Sequence, residues 1–255
     1  MNILVLKLIL APIIIGSSSL AGRKWGSAVS GWIVGLPLTS GPVAFIISLS
    51  HTRGFAFDTI RGTLSGGFSL IAYALTYAVV SKRCNWAISI LSSALVFASV
   101  TTILQGTTLP FVPLFFAVLT VIFIGLWLMP KYNVAQPDVT PGKWDIPSRI
   151  LIGTSFILLI TGIAPYIGSR LTGLLTTIPL YVSIMTIFAH RHQGHESAVN
   201  VLRGLILGLF SFAGFYLVLG LLIENSSLAV SFGAATLATL LVQGASLLML
   251  RQIHK

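Results

Sequence analysis

The chain has 255 residues, of which 55% are hydrophobic and only 8% charged, against about 25% charged in a water-soluble domain. So few charges cannot cover a water-facing surface, which excludes a soluble fold and makes lipid the solvent. The balance of 15 Lys+Arg against 5 Asp+Glu, a formal +10, falls between apolar runs, so it reads as membrane topology and not as a nucleic-acid footprint.

In chain order, nine apolar stretches are predicted to span the bilayer as helices: 3–21, 28–50, 62–80, 86–104, 110–129, 150–169, 171–189, 204–223 and 228–250. Each has about 19–23 residues, enough to cross the hydrocarbon core. Helices are expected because lipid offers the backbone no partners, and the runs lack the alternation a β-barrel needs. The first run ends in small residues, as a signal peptide does, but no basic stretch precedes it and it has a counterpart at 149–164. It is read as a retained membrane helix. Trp25, Trp86, Trp127 and Trp144 fall near span ends, where an interfacial belt would place them. Residues 130–148 are polar, carry four prolines and form the one predicted linker. The single cysteine, Cys84, rules out an intramolecular disulfide.

A shift of 142 residues lays Lys7–Leu104 over Arg149–Ser246 with 17 identities in 98 positions, where this composition gives about 7 by chance. Arg61-Gly62-Thr63-Leu64-Ser65-Gly66-Gly67-Phe68-Ser69 lies over Arg203-Gly204-Leu205-Ile206-Leu207-Gly208-Leu209-Phe210-Ser211, sharing R-G-x-x-x-G-x-F-S, and Pro37-Leu38 lies over Pro179-Leu180. The expected organisation is a four-helix repeat over 1–106, a connecting helix and polar linker over 107–148, and a second four-helix repeat over 149–255. The unrepeated run 110–129 displaces the second copy by an odd number of crossings, which inverts it relative to the first. With nine spans, 11 basic residues lie on one side and 4 on the other. That places the N-terminus outside and the C-terminus in the cytoplasm.

Proline removes a backbone donor and clashes with the carbonyl four residues earlier. Pro37 and Pro179 fall near the middle of matching spans, and interrupted spans at matching positions of two repeats point to a transporter's substrate site. Pro37, Thr39, Ser40 and Pro42 from the first copy, with Thr176, Thr177, Pro179, Tyr181 and Ser183 from the second, are therefore the candidate substrate-binding residues. The competing reading is a proline kink whose hydroxyls bond to nearby carbonyls. Gly62/Gly66 and Gly204/Gly208 lie one turn apart and let a neighbouring backbone approach. Arg61 and Arg203, at the N-terminal ends of their runs, either snorkel to the interface or form anion-attracting gates. His190-Arg191-His192-Gln193-Gly194-His195-Glu196 is expected to be a polar loop, with no metal assigned to it. No acid lies mid-span and no catalytic spacing is recognisable, so neither an enzyme nor a cofactor is expected.

The stretch Leu171–Ile223, with T-G-L-L-T-T-I-P-L and a charged loop before R-G-x-x-x-G, resembles the small GlpM-like bacterial membrane proteins, which are about one repeat long. The first copy, with G-L-P-L-T-S-G-P, resembles their duplicated relatives. The resemblance implies a bacterial inner-membrane location and supplies no substrate. The leading expectation is a transporter or exporter of a small polar, anionic solute, working by alternating access between inverted repeats. A flippase for a lipid or lipid-linked intermediate is the first alternative, and it requires a groove open sideways to lipid. A non-transporting assembly factor is the second. The expected partners are the bilayer, a small-molecule solute and a further copy of the chain as a homo-oligomer, with no nucleic acid.

Overall fold

The computed structural model describes residues 37, 39–107, 109–132 and 145–253, with positions 9, 12 and 13 besides. All of the predicted span 3–21 but those three positions, and the first part of 28–50, therefore lie outside the described residues. Every element described is helical: α1 (Ser40–Ser50), α2 (Arg53–Val80), α3 (Trp86–Gln105), α4 (Phe111–Leu128), α5 (Asp145–Ile167), α6 (Ser169–Leu175), α7 (Leu180–Gln193), α8 (His195–Leu222) and α9 (Leu228–Ile253). Five stretches, in α2, α3, α4, α5 and α8, are long and apolar enough to cross a membrane. The chain is thus a helical membrane protein. Leu91, Leu95, Phe116, Phe123, Leu159 and Leu241 are all exposed on the outside of the bundle, where only an apolar solvent suits them.

Helix boundaries follow local chemistry. The Thr52 side chain accepts from Phe55 N at the start of α2, and Asn85 accepts from Ile88 N at the start of α3, as N-caps do. Glycines at positive φ join α5 to α6 (Gly168, φ 82) and α7 to α8 (Gly194, φ 89), a conformation that costs other residues a Cβ clash. The second join corrects an expectation. The polar loop foreseen over His190–Glu196 shrinks to Gly194 alone, because α7 continues through Gln193 and α8 begins at His195.

The two 28-residue helices α2 and α8 form the centre, with 67% and 61% of their most apolar windows buried, against 22% for α3 and α4. Each is about 42 Å long, some 12 Å more than the hydrocarbon core. They pack together and run in opposite directions. Arg53, at the start of α2, donates to the carbonyls of Ile223, Glu224 and Ser226 just past the end of α8. Helix α4 lies against both and parallel to α2. Its Phe111 meets Phe57 on α2 and the backbone of Gly220 near the end of α8, while Gly125 near its other end lies between Ile71 and Ile206.

The structure starts α2 and α8 about two turns before the apolar runs that predicted them, which corrects the placing of Arg61 and Arg203 at helix N-termini. A helix dipole acts mainly within the first turn, so it contributes little at either arginine.

Candidate functional site

The predicted span 171–189 is two helices, α6 and α7, separated by Thr176–Pro179. The local hydrogen bonds show how proline breaks it. Thr177 N and Ile178 N donate three residues back, to Leu174 O (3.2 Å) and Leu175 O (3.1 Å), and Leu180 N donates to Ile178 O across Pro179 at 2.8 Å. With φ −80 and ψ 55, Pro179 sits in an inverse γ-turn. The Thr176 and Thr177 hydroxyls each donate at 2.6 Å, to Gly173 O and Leu174 O. The break is therefore sharper than a kink, and its threonine hydroxyls serve its own backbone.

Helix α6 presses on α2 backbone against backbone at Gly173 and Gly62. A Cβ on Gly173 would run into the Thr59 carbonyl oxygen, one on Gly62 into the Arg170 carbonyl oxygen, and one on Gly66 into the Thr177 side chain. Thr63 Oγ1 meets Thr176 Oγ1 at 3.1 Å in the same contact. Beyond the break, Ser183 Oγ bonds to Tyr73 OH at 2.8 Å, and His190 Nδ1 to Tyr77 OH at 2.8 Å. Pro179 begins a new helix through its carbonyl, which accepts from Ser183 N at 2.8 Å.

The first-copy residues are seated elsewhere. Pro37 O accepts from Gly41 N at 2.8 Å, and α1 begins at Ser40. The 142-residue shift carries this bond onto the one from Ser183 N to Pro179 O. Ser40 and Pro42 are buried. The Tyr216 hydroxyl faces Ser40 outside good hydrogen-bond geometry, and Phe215 abuts Gly41. Thr39 is half-buried in the turn before α1. The side chain of Tyr181 lies outside the described residues. These contacts set the first-copy residues against α8 and the second-copy residues against α2.

The two arginines hold helix ends. Arg203 donates to Met129 O at 3.0 Å and Leu126 O at 3.4 Å, capping α4, and Arg61 donates to Leu109 O just before α4. They therefore lie at opposite ends of a helix about 27 Å long.

A cavity of about 470 Å³ lies between α3 and the broken helix, within the range of small-molecule sites. Pro179, Ser183, Leu171, Leu175 and Ile178 form one wall, Tyr73 the floor, and Ala94, Phe97, Ala98, Thr101, Thr102 and Gln105 of α3 the other wall. None of these twelve residues is charged. Ala94, Ala98, Thr102 and Gln105 are exposed. They stand on α3 between its buried row, Ser89, Ser93, Phe97 and Thr101, and its exposed apolar row, Leu91 and Leu95. The cavity therefore opens sideways, where α3 turns from packed face to outer face.

Among the described residues, Pro179 and Ser183 are the predicted binding residues that line this cavity. The α3 row, Tyr73 and Arg170 escaped sequence reasoning. Small and hydroxylated residues at i, i+4, i+7 and i+8 from Ala94 were the available signal. Compared with known proteins, the chain matches no family model, no curated protein and no solved structure.

Proposed function

We propose that this protein carries an amphipathic, lipid-like molecule between the two leaflets of a membrane, with the cavity beside Pro179 as its binding site. The observation that carries this reading is the sideways opening of an uncharged cavity along the outer flank of α3. A water-borne ion would need ligands facing a closed centre. Here the candidate ligands near the break are already committed, Thr176 and Thr177 to their own helix, and Arg203 caps the end of α4. The machine is two inverted four-helix repeats, with nine crossings and the N-terminus outside. The antiparallel course of α2 and α8 and their common 28-residue length support it. Rocking about Pro179 and its counterpart Pro37 would alternate access.

Reconstitution into vesicles carrying a fluorescent phospholipid tests the reading, with chemical quenching of the outer leaflet. The wild type should expose inner-leaflet lipid to quencher, and Ala98→Trp, which fills the cavity, should slow this severalfold. Movement no faster than in protein-free vesicles would overturn the proposal.

A second reading, transport of a small polar anion, rests on the matching prolines Pro37 and Pro179, whose carbonyls each accept from the residue four on. Solute flux in proteoliposomes that falls on substituting Pro37, Thr39, Arg61 or Arg203, without lipid movement, would favour it.

A further inference from the structure

One end of the cavity carries a chemistry that its walls lack. Gln105 and Leu171 line that end, and Arg170 bridges their neighbours, donating to Leu104 O at 2.8 Å and reaching Thr107 Oγ1 at 3.5 Å. Arg61 reaches the same join, donating to Leu109 O, and besides burial Arg170 feels the opposed charges of Arg61 and Asp58. Two guanidiniums and one carboxylate leave a net positive charge at this mouth. A guanidinium has five N–H donors in a fork suited to phosphate oxygens, and the bonds to Leu104, Thr107 and Leu109 engage one nitrogen of each arginine.

The dimensions agree with one kind of occupant. Ala94 to Gln105 spans about 16 Å along α3, close to half of the roughly 30 Å hydrocarbon core. The groove thus runs from the helix end carrying the arginines to mid-membrane, the depth of one leaflet. Its inner end is marked by the bonded pair Tyr73 and Ser183. Tyr73 lies 12 residues along α2 from Arg61, about 18 Å by helical rise.

We infer that this groove binds a lipid with an anionic headgroup, its acyl chain lying along Ala94 and Ala98 and its headgroup phosphate on Arg170 and Arg61 beside Gln105. The inference rests on the lipid-carrier reading for its cargo class and adds the charge of the headgroup and the end at which it docks. The occupant is a membrane lipid and not free phosphate, because the apolar walls continue into the lipid-facing row of Leu91 and Leu95.

Lipid retention by the purified full-length protein tests this without any transport step. Detergent-solubilised protein is incubated with phosphatidylglycerol and phosphatidylcholine of identical chains, and bound lipid is counted by native mass spectrometry. The wild type should retain the anionic lipid about fivefold over the zwitterionic one, the effect expected of one arginine near an anionic headgroup. Arg170→Gln should remove the preference, Arg170→Lys should keep most of it, and Ala98→Trp should reduce retention of both lipids. Thermal melting of each variant identifies any that fail to fold, and the Lys variant preserves the charge if the Gln variant does. Equal retention of the two lipids by the wild type, or a preference unchanged in folded Arg170→Gln, would overturn the inference. Displacement of bound lipid by millimolar inorganic phosphate alone would do so too. Preferred binding without movement between leaflets would sink the carrier reading and leave this one standing, and movement of lipid with equal retention of the two would do the reverse.

Discussion

Gly173→Ala adds one methyl group at the closest helix contact in the described structure. The new Cβ would meet the Thr59 carbonyl oxygen and stand 2.6 Å from Thr63 N and 2.9 Å from Gly62 C. Carbon rests about 3.3–3.6 Å from backbone oxygen even in close contacts, and the obstacle is backbone, not the free end of a side chain. Helices α2 and α6 must therefore separate by roughly 1 Å, as close packing cannot absorb the atom otherwise. Overpacking of this kind costs about 1–3 kcal/mol. The bond between Thr63 and Thr176, at 3.1 Å, would stretch towards its limit, and such interhelical bonds are worth about 0.6–1.7 kcal/mol in membranes. Together these give a loss of roughly 2–4 kcal/mol. Gly54→Ala is the control. It lies exposed in the first turn of α2, and its Cβ meets no described atom within 4 Å, so better helix propensity should stabilise by up to about 1 kcal/mol. Unfolding of the purified protein in mixed micelles, followed by far-UV circular dichroism against denaturing detergent, measures both. If Gly173→Ala proves as stable as Gly54→Ala, the close approach of α6 to α2 is wrong.

Arg203→Gln should destabilise by about 1.5–3 kcal/mol, since it removes charge-assisted bonds to the carbonyls ending α4. Arg203→Lys should recover part of that in the same unfolding assay, and an unchanged Gln variant would contradict the cap. Tyr77→Phe deletes one interhelical bond, to His190, and should cost about 0.6–1.7 kcal/mol, read as a lower melting temperature in detergent. The His190 ring, just past the predicted span, has its pKa held below the usual 6.5 by burial and then by the nearby His195. The unfolded chain therefore takes up this proton first. Stability should be full above about pH 6.5 and should fall as acid carries the ring through its lower folded value. Melting temperature against pH should show that step in the wild type, and a similar step in His190→Gln would assign it to another group.

Long apolar helices were legible because lipid leaves the backbone no choice but helix. Apolarity alone does not mark where a helix begins. Arg53–Ile60 and His195–Leu202 are helical though they precede the apolar runs 62–80 and 204–223, because Thr52 and Gly194 set the starts. Pro179 announced a break but not its depth. Replacement of four-back bonds by three-back bonds from Thr177 onward depends on threonines whose hydroxyls find carbonyls in their own turn. The cavity was less visible. Its α3 wall is a row of alanine and threonine that also suits ordinary helix packing, and only the position of the broken helix leaves that row uncovered. Arg61 and Arg203 were conspicuous as charges, yet their partners are carbonyls more than forty residues away in sequence, which no local pattern encodes.

The 142-residue shift separates what the two halves share from what they do not. They share a backbone bond, from Gly41 N to Pro37 O and from Ser183 N to Pro179 O, both 2.8 Å. They differ in the side chains set against it. Ser183 meets the hydroxyl of Tyr73, whereas Gly41 at the shifted position meets the ring of Phe215, itself edge-on to Phe232. A ligand site maintained in both halves would need matching chemistry at matching depth. A hinge needs only the proline and the helix that starts after it. The paired prolines thus suit points of bending better than a doubled ligand site, and the proposed lipid groove belongs to one half, where the broken helix and α3 flank the cavity beside the arginine-bearing mouth.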